Sequence, residues 1–171
     1  MNRPLLLLLG TGAALGLNFP LGKLAMAAGI TPALWAAVIS AGAGLVMLFI
    51  VAVTERKDLS RTSTLYFAIV SSFLSYVVPS VLTYTVIPKI GSGLAAIMFA
   101  LSPVVTALLS LLLRVRPPSL ISVFGIVVGL AGAGIIIFSR NTDFSAAAAP
   151  WILMALLIPL FLGAGNVFRT M

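Results

Sequence analysis

Two polar clusters set into long apolar runs are where this chain could do chemistry. The first is Gly16-Leu17-Asn18-Phe19-Pro20-Leu21-Gly22-Lys23. If the run lies in a bilayer, Lys23 offers a cation to a carboxylate or other solute anion, because ionisable groups at membrane depth mark solute and ion pathways. The same lysine near a helix end would otherwise snorkel to the interface. Pro20 frees a backbone carbonyl one turn before it, so with Asn18 the stretch could form a locally unwound polar spot facing a cavity. Asn18 could equally hydrogen-bond a neighbouring helix.

The second cluster is Ser72, Tyr76, Ser80, Thr83 and Tyr84. Spacings of three and four residues predict one helical face, with Pro79 inside it as a hinge. Tyrosine joins an aromatic surface to a hydroxyl, which suits an amphipathic solute in a mostly apolar cavity. The competing reading has Ser and Thr bonding back to their own helix while the rings pack. The candidate substrate-binding residues are Lys23, Asn18, Tyr76 and Tyr84. Ser102, Thr106 and Ser110 recur every four residues beside Pro103, and Gly125 and Gly129 do the same. Both sets read as close helix packing. Gly129-Leu130-Ala131-Gly132-Ala133-Gly134 has no βαβ context and is not read as a nucleotide loop.

Other chemistries are excluded by composition. The chain has no Cys and no His, so thiol chemistry, disulfides and His-based triads are absent. Its three acidic residues, Glu55, Asp58 and Asp143, all fall between the apolar runs. No metal set, cofactor loop or nucleophile–base pair is expected, and an enzyme is disfavoured. Net charge +7 does not imply a nucleic-acid partner, because the basic residues sit singly or in small groups between runs.

The elements that must position these residues emerge from hydropathy. Of 171 residues, 61% are hydrophobic and 8% charged, with a mean hydropathy of +1.25. A soluble domain carries about a quarter charged residues. Charge-free runs span 4–22, 24–54, 62–88, 90–113, 117–139 and 144–168, and about 20 apolar residues cross a bilayer as a helix. The fold class is therefore all-α membrane protein, with about six transmembrane helices near 4–27, 32–54, 64–87, 91–113, 118–139 and 149–169. Thr31-Pro32 should cap the second helix, Pro117-Pro118-Ser119 should separate the fourth from the fifth, and Pro150 should open the sixth. Glu55, Arg56, Lys57, Asp58 and Arg61 read as a solvated turn that fixes topology.

Seven basic residues (Arg3, Arg56, Lys57, Arg61, Arg114, Arg116 and Arg169) fall on one side, and three (Lys23, Lys89 and Arg140) on the other. That bias predicts a cytoplasmic N-terminus, with Trp35 and Trp151 at outer helix ends. A cleaved signal peptide with Ala25-Met26-Ala27 as its site is disfavoured by Asn18, Pro20 and Lys23 in the region that should lead to cleavage.

Leu15-Gly16-Leu17-Asn18-Phe19 can be laid on Leu162-Gly163-Ala164-Gly165-Asn166-Val167, setting Asn18 over Asn166 about 148 residues apart. Five helices lie within that period, so the second copy would enter the bilayer in the opposite sense, as in inverted-repeat transporters.

Three stretches then carry a resemblance to the EamA-type transporters of the drug/metabolite transporter superfamily. They are Gly16 to Lys23; Leu82-Thr83-Tyr84-Thr85 with Ile90-Gly91-Ser92-Gly93-Leu94-Ala95-Ala96; and Leu101-Ser102-Pro103-Val104-Val105-Thr106-Ala107-Leu108-Leu109 with Gly125-Ile126-Val127-Val128-Gly129-Leu130-Ala131-Gly132. The family's usual acidic residue after the fourth helix is replaced here by Arg114-Val115-Arg116. The resemblance implies a first five-helix repeat over 1–139, a connecting loop over 140–148, and the first helix of a second inverted repeat over 149–171. It implies a transporter of small metabolites or amphipathic solutes, exporting by alternating access from a bacterial inner membrane. The alternative is a non-transporting or partner-dependent module, a truncated remnant of a ten-helix carrier. Expected partners are the lipid bilayer and a small-molecule solute, with a homodimer or a complementing second half as the protein partner.

Overall fold

The computed structural model describes residues 3–54, 62–115, 119–139 and 148–170. The acidic residues Glu55, Asp58 and Asp143, the basic residues Arg56, Lys57, Arg61, Arg116 and Arg140, and Pro117-Pro118 lie outside them. The described residues are all helix and turn, as expected for an all-α membrane protein. They form α1 (Arg3–Ala27), α2 (Pro32–Thr54), α3 (Thr62–Ser72), one π-helical turn (Phe73–Val77), α4 (Val78–Ala100), α5 (Ser102–Leu112), α6 (Leu120–Ser139) and α7 (Ala149–Phe168).

Local chemistry sets the element ends. At the close of α1, Ile30 N–H donates to the Ala25 carbonyl and Gly29 N–H to that of Met26, both at 3.1 Å. Gly29 has φ 84°, the left-handed conformation such a Schellman ending requires. Thr31 then caps α2 as expected: its Oγ1 accepts from Leu34 N–H at 3.3 Å, with Pro32 at the first helical position. Ser119 caps α6 in the same way, its Oγ accepting from Ser122 N–H at 3.2 Å.

The stretch Leu65–Leu112 is 48 residues of mostly apolar helix, with Lys89 as its one charge. As one straight helix it would reach roughly 72 Å, more than twice the hydrocarbon core. It turns back instead at Gly91, where φ 82° and ψ 154° break the helix inside α4. The contacts of α7 reveal the reversal. Trp151 meets Lys89, Gly165 meets Ser75 and Phe168 stacks on Phe67, so α7 runs antiparallel to the first limb. The same end of α7 meets Val105 and Thr106 of the second limb. The expected gap between the third and fourth helices at 88–90 is helical, and the break falls on Gly91, the residue without a Cβ.

Two further irregularities arise from proline. Pro79 has no N–H and its ring crowds the carbonyl four residues back, and the π turn over Phe73–Val77 widens the helix there. Val78 N–H bonds to the Phe73 carbonyl, five residues back, which is the π-type bond. Pro103 sits at the start of α5 just past the break at Leu101. Pro20 behaves otherwise: α1 continues unbroken from Arg3 to Ala27. The local unwinding expected around Asn18 and Pro20 is not observed; membrane helices carry an interior proline when neighbouring groups re-satisfy the backbone.

The hairpin of the two limbs is the centre of the bundle. On it pack α1, α2 and α7, and the buried core comprises Ala36, Tyr84, Val86, Ile87, Ala95, Met98, Ala155, Ile158 and Leu162. Leu5 to Leu9, Leu45 to Phe49 and Leu120, Ile121 and Phe124 are exposed, as an acyl-chain environment allows. Because lipid is as apolar as these side chains, close approach and polar contacts hold the helices together. Gly22, Gly163 and Gly165 make the close approaches: a Cβ on Gly163 would stand 2.7 Å from Val105 Cγ1 and 3.1 Å from the Thr106 backbone nitrogen. At Gly125 and Gly129 a Cβ would meet nothing within 4 Å. The close packing expected there is therefore not what those glycines do, since no described helix lies against that face of α6.

Two alanine substitutions separate these positions. Gly163→Ala should destabilise the bundle by about 1–3 kcal/mol, because the Thr106 backbone cannot give way, whereas Gly125→Ala should leave it unchanged. Thermal denaturation midpoints of the detergent-solubilised protein check this, and equal midpoints for the two variants would contradict the packing of α7.

Candidate functional site

Two groups of polar residues line cavities in the described bundle, one on each side of the hairpin. The first lies between α1 and the first limb. Tyr84 is 2% exposed, and its hydroxyl donates to Asn18 Oδ1 at 2.9 Å. Gly22, one turn after Asn18, leaves room for the ring: a Cβ there would lie 2.6 Å from Tyr84 Cε1. Trp35 of α2 meets the same ring edge to face at 6.4 Å. Its indole N–H is buried without a partner among the described residues. Beside the Asn18–Tyr84 bond is a chamber of about 30 Å³, bounded by Leu15, Asn18, Phe19, Ser80, Thr83, Tyr84 and Phe99. That is room for one water molecule. Thr83 turns its hydroxyl back onto the Pro79 carbonyl at 2.7 Å, so Asn18, Ser80 and Tyr84 supply the chamber's polarity.

The second place is a cavity of about 790 Å³ between α5, α6 and α7, within the range of small-molecule sites. Its apolar wall includes Ala100, Pro103, Val104, Ala107, Ile126 and Leu130; its polar groups are Thr106, Ser110, Ser119, Ser122 and Asn166. Gly125 and Gly129 line it too, and their missing side chains widen it. A chain of hydrogen bonds crosses one wall. Thr106 Oγ1 donates to the Ser102 carbonyl at 2.7 Å and accepts from Asn166 Nδ2 at 3.1 Å. The Arg169 guanidinium donates to Asn166 Oδ1. A second bond, from Arg169 Nε to the Gly165 carbonyl at 3.3 Å, holds this cation beside Asn166.

Of the four residues singled out from the sequence, the structure brings Asn18 and Tyr84 together and keeps Lys23 and Tyr76 apart from them. Lys23 is exposed, four residues before the end of α1. Tyr76 is 56% exposed. The five-residue face expected over Ser72, Tyr76, Ser80, Thr83 and Tyr84 is broken by the π turn. An extra residue in one turn rotates the rest of the helix by about a third of a circle relative to an unbroken α-helix, so Tyr76 faces outward while Thr83 and Tyr84 are buried. Near the start of α7, Lys89 Nζ lies 5.3 Å from the Trp151 ring centre, a cation–π contact between α4 and α7.

Sequence reasoning passed over the larger cavity. Thr106, Ser110, Gly125 and Gly129 were visible as spaced small residues, but small residues serve close packing and open walls equally well. A stronger signal was Asn166, which together with Asn18 is one of the two asparagines inside the apolar runs. Each bonds to a hydroxyl on the central hairpin: Asn18 to Tyr84, Asn166 to Thr106.

In comparisons with known proteins, the family model described as the EamA-like transporter family matches residues 2–138, from the start of α1 to near the end of α6. No curated protein and no solved structure is detectably similar.

The Asn18–Tyr84 bond can be measured directly. Tyr84→Phe and Asn18→Leu should each destabilise the protein, and the double variant should fall short of their sum by about 0.6–1.7 kcal/mol, the range for interhelical hydrogen bonds in membranes. A double-mutant cycle on thermal stability gives the coupling, and strict additivity would show that the two side chains do not bond.

Proposed function

The chain belongs to the EamA-like transporter family, and from that membership we propose that it is a carrier of small amphipathic solutes. The supporting observation is the 790 Å³ cavity among membrane-spanning helices, apolar on most of its wall with hydroxyls and one amide on the rest. An apolar solute body would lie against Ala100, Val104, Ile126 and Leu130. Its polar head would exchange hydrogen bonds with Asn166, Thr106 and Ser110. Arg169 at the rim favours heads that are neutral or anionic over cations. Asn18 and Tyr84 form the second polar station, and Lys23 acts as an interfacial anchor whose charge reaches the lipid headgroups.

Topology supports an outward direction. The cavity extends toward the helix ends that carry Arg114 and Arg169, and the excess of basic residues favours a cytoplasmic position for those ends. Solute would load from inside and leave at the other face as one bundle rocks against another. An inverted repeat fits the same reading: α1 runs parallel to the first limb, Asn18 and Gly22 matching Tyr84 and Ile87, whereas α7 runs antiparallel to it. The setting is a bacterial inner membrane, with the N-terminus cytoplasmic.

Cells expressing the chain should accumulate one or more amphipathic metabolites in the medium relative to cells carrying an empty vector. Asn166→Leu removes both amide hydrogen bonds at nearly constant volume and should lower that efflux by about threefold to tenfold, as the loss of one or two such bonds implies. Mass spectrometry of the medium, normalised to the amount of protein in the membrane, makes the comparison. Identical media with and without the chain would defeat the carrier reading; equal efflux from wild type and Asn166→Leu would move the solute elsewhere.

A further inference from the structure

The large cavity is polar at one end and apolar at the other. The short connection over 113–119 makes α5 and α6 antiparallel neighbours. Ser110, near the end of α5, is therefore at the level of Ser119 and Ser122 at the start of α6. Ala100 and Val104, at the far end of the same wall, are at the level of Ile126 and Leu130. Hydroxyls thus collect beside the connection, and the other end is aliphatic. From Ser110 back to Ala100 the wall runs roughly 15 Å, with Thr106 and Asn166 between.

The polar end has a surplus of hydrogen-bond donors. Thr106 directs its own hydrogen to the Ser102 carbonyl and accepts one Nδ2 hydrogen of Asn166. Asn166 Oδ1 is taken by the Arg169 guanidinium, which leaves the second Nδ2 hydrogen to offer. The Ser119 and Ser122 hydroxyls share one bond at 2.8 Å, while Ser119 Oγ also accepts from Ser122 N–H. One of those two O–H groups keeps its hydrogen. None of the residues bounding the cavity is acidic. The charge beside it is positive. Because α7 runs antiparallel to the first limb, it runs parallel to α5, so Arg169, three residues past Asn166, lies toward the Ser110 end. Arg114 follows Ser110 by four residues.

We propose that this cavity takes a single-chain amphiphile with a carboxylate head, drawn from the bilayer leaflet at the basic helix ends. The inference rests on the carrier reading above and names its substrate class. The head accepts hydrogen bonds from Asn166, Ser110 and the serine pair, with Arg169 close by to favour its charge. The alkyl chain lies toward Ala100, Val104, Ile126 and Leu130. An ammonium head would meet a like charge there and would find Asn166 Oδ1 already engaged. An amphiphile in that leaflet has its head at the interface and its tail toward the midplane, the same orientation that the cavity offers. It enters without turning over. A volume of about 790 Å³ is that of a site for one small molecule, which suits one alkyl chain better than the two of a phospholipid.

The probe is dodecanoate with a diazirine at its ω carbon, photolysed with the full-length protein in phosphatidylcholine vesicles. A mildly alkaline buffer keeps the carboxyl ionised and a competing amine protonated. Peptide mass spectrometry should place crosslinks within 100–104 and 126–130, and excess dodecanoate should abolish them. Dodecylammonium should need at least about a tenfold higher concentration for the same loss, as one charge-assisted bond implies. Arg169→Gln should raise the half-competing concentration of dodecanoate by about tenfold. Ile126→Trp fills the apolar end and should remove the crosslinks. The competition on unaltered protein depends on neither variant folding. Crosslinks confined to exposed stretches such as Leu45 to Phe49, crosslinks at 126–130 that excess dodecanoate does not reduce, or equal competition by dodecylammonium would each overturn the proposal. Binding is read without transport. Saturable crosslinks in a chain that produces no efflux would defeat the carrier reading and keep this site; efflux without saturable crosslinks would do the reverse.

Discussion

The thickness of a bilayer dictates this architecture. Leu65–Leu112 offers 48 residues of mostly apolar helix to a slab that accepts about 20 as one helix, and the only economical solution is a hairpin. Gly91 makes the turn with a positive φ that a side chain would oppose. Once the two limbs lie side by side they present two flanks, and each flank takes a helix of opposite sense: α1 runs with the first limb and α7 against it. The glycines at Gly22, Gly163 and Gly165 let those helices settle directly on the hairpin. In a solvent that gives apolar surfaces no reason to leave it, that contact is what separates a bundle from loose helices.

Much of this was legible in the sequence, and the reasons are physical. Charge-free runs report membrane helices because a charged side chain is expensive at any depth within the hydrocarbon. The Thr31 cap is local, and its chemistry depends on few neighbours. Asn18 and Tyr84 could be proposed separately because a polar group inside an apolar run must find a partner, although that they partner each other is a tertiary fact. What could not be read was register. A helical face drawn through Tyr76 and Tyr84 assumes an unbroken α-helix, and Pro79 removes that assumption by forcing a π turn just before it. The fate of Gly125 and Gly129 was equally hidden, since a missing side chain lets a neighbour come close or leaves an open wall, and only the position of the neighbour decides which.

The two asparagines illustrate how the polar and apolar parts of the bundle are linked. Each amide has more hydrogen-bonding capacity than its one hydroxyl partner consumes. Asn18 accepts from Tyr84 with its carbonyl oxygen, beside a small chamber where its amide hydrogens have room for a further partner. Asn166 is more fully engaged, donating to Thr106 and accepting from Arg169, whose charge strengthens the bond. The pair is alike in sequence setting and unlike in electrostatics. One station is neutral and enclosed; the other is open and tied to a cation at its rim. On the carrier reading proposed above, an anionic solute head would be held more strongly beside Arg169 than in the chamber.

Helical irregularities in this chain are not scattered. Among the described residues, the π turn, the Gly91 reversal and the Leu101 break all lie on the central hairpin, while α1 passes straight through its own proline. A hairpin core held by interlocked side chains resists continuous deformation, because dense packing leaves few intermediate arrangements. Breaks in the backbone supply the missing freedom at defined places, and here the π turn and the Leu101 break each lie next to one of the cavities. The first limb is loosened just before Ser80, the second just after Phe99. The close contacts of α7 fall at the same places: Gly165 packs on Ser75 inside the π turn, and Gly163 on Val105 and Thr106 just past the Leu101 break. The two proline-associated irregularities are thus braced by close glycine contacts of α7, so a change at either one is felt along that helix.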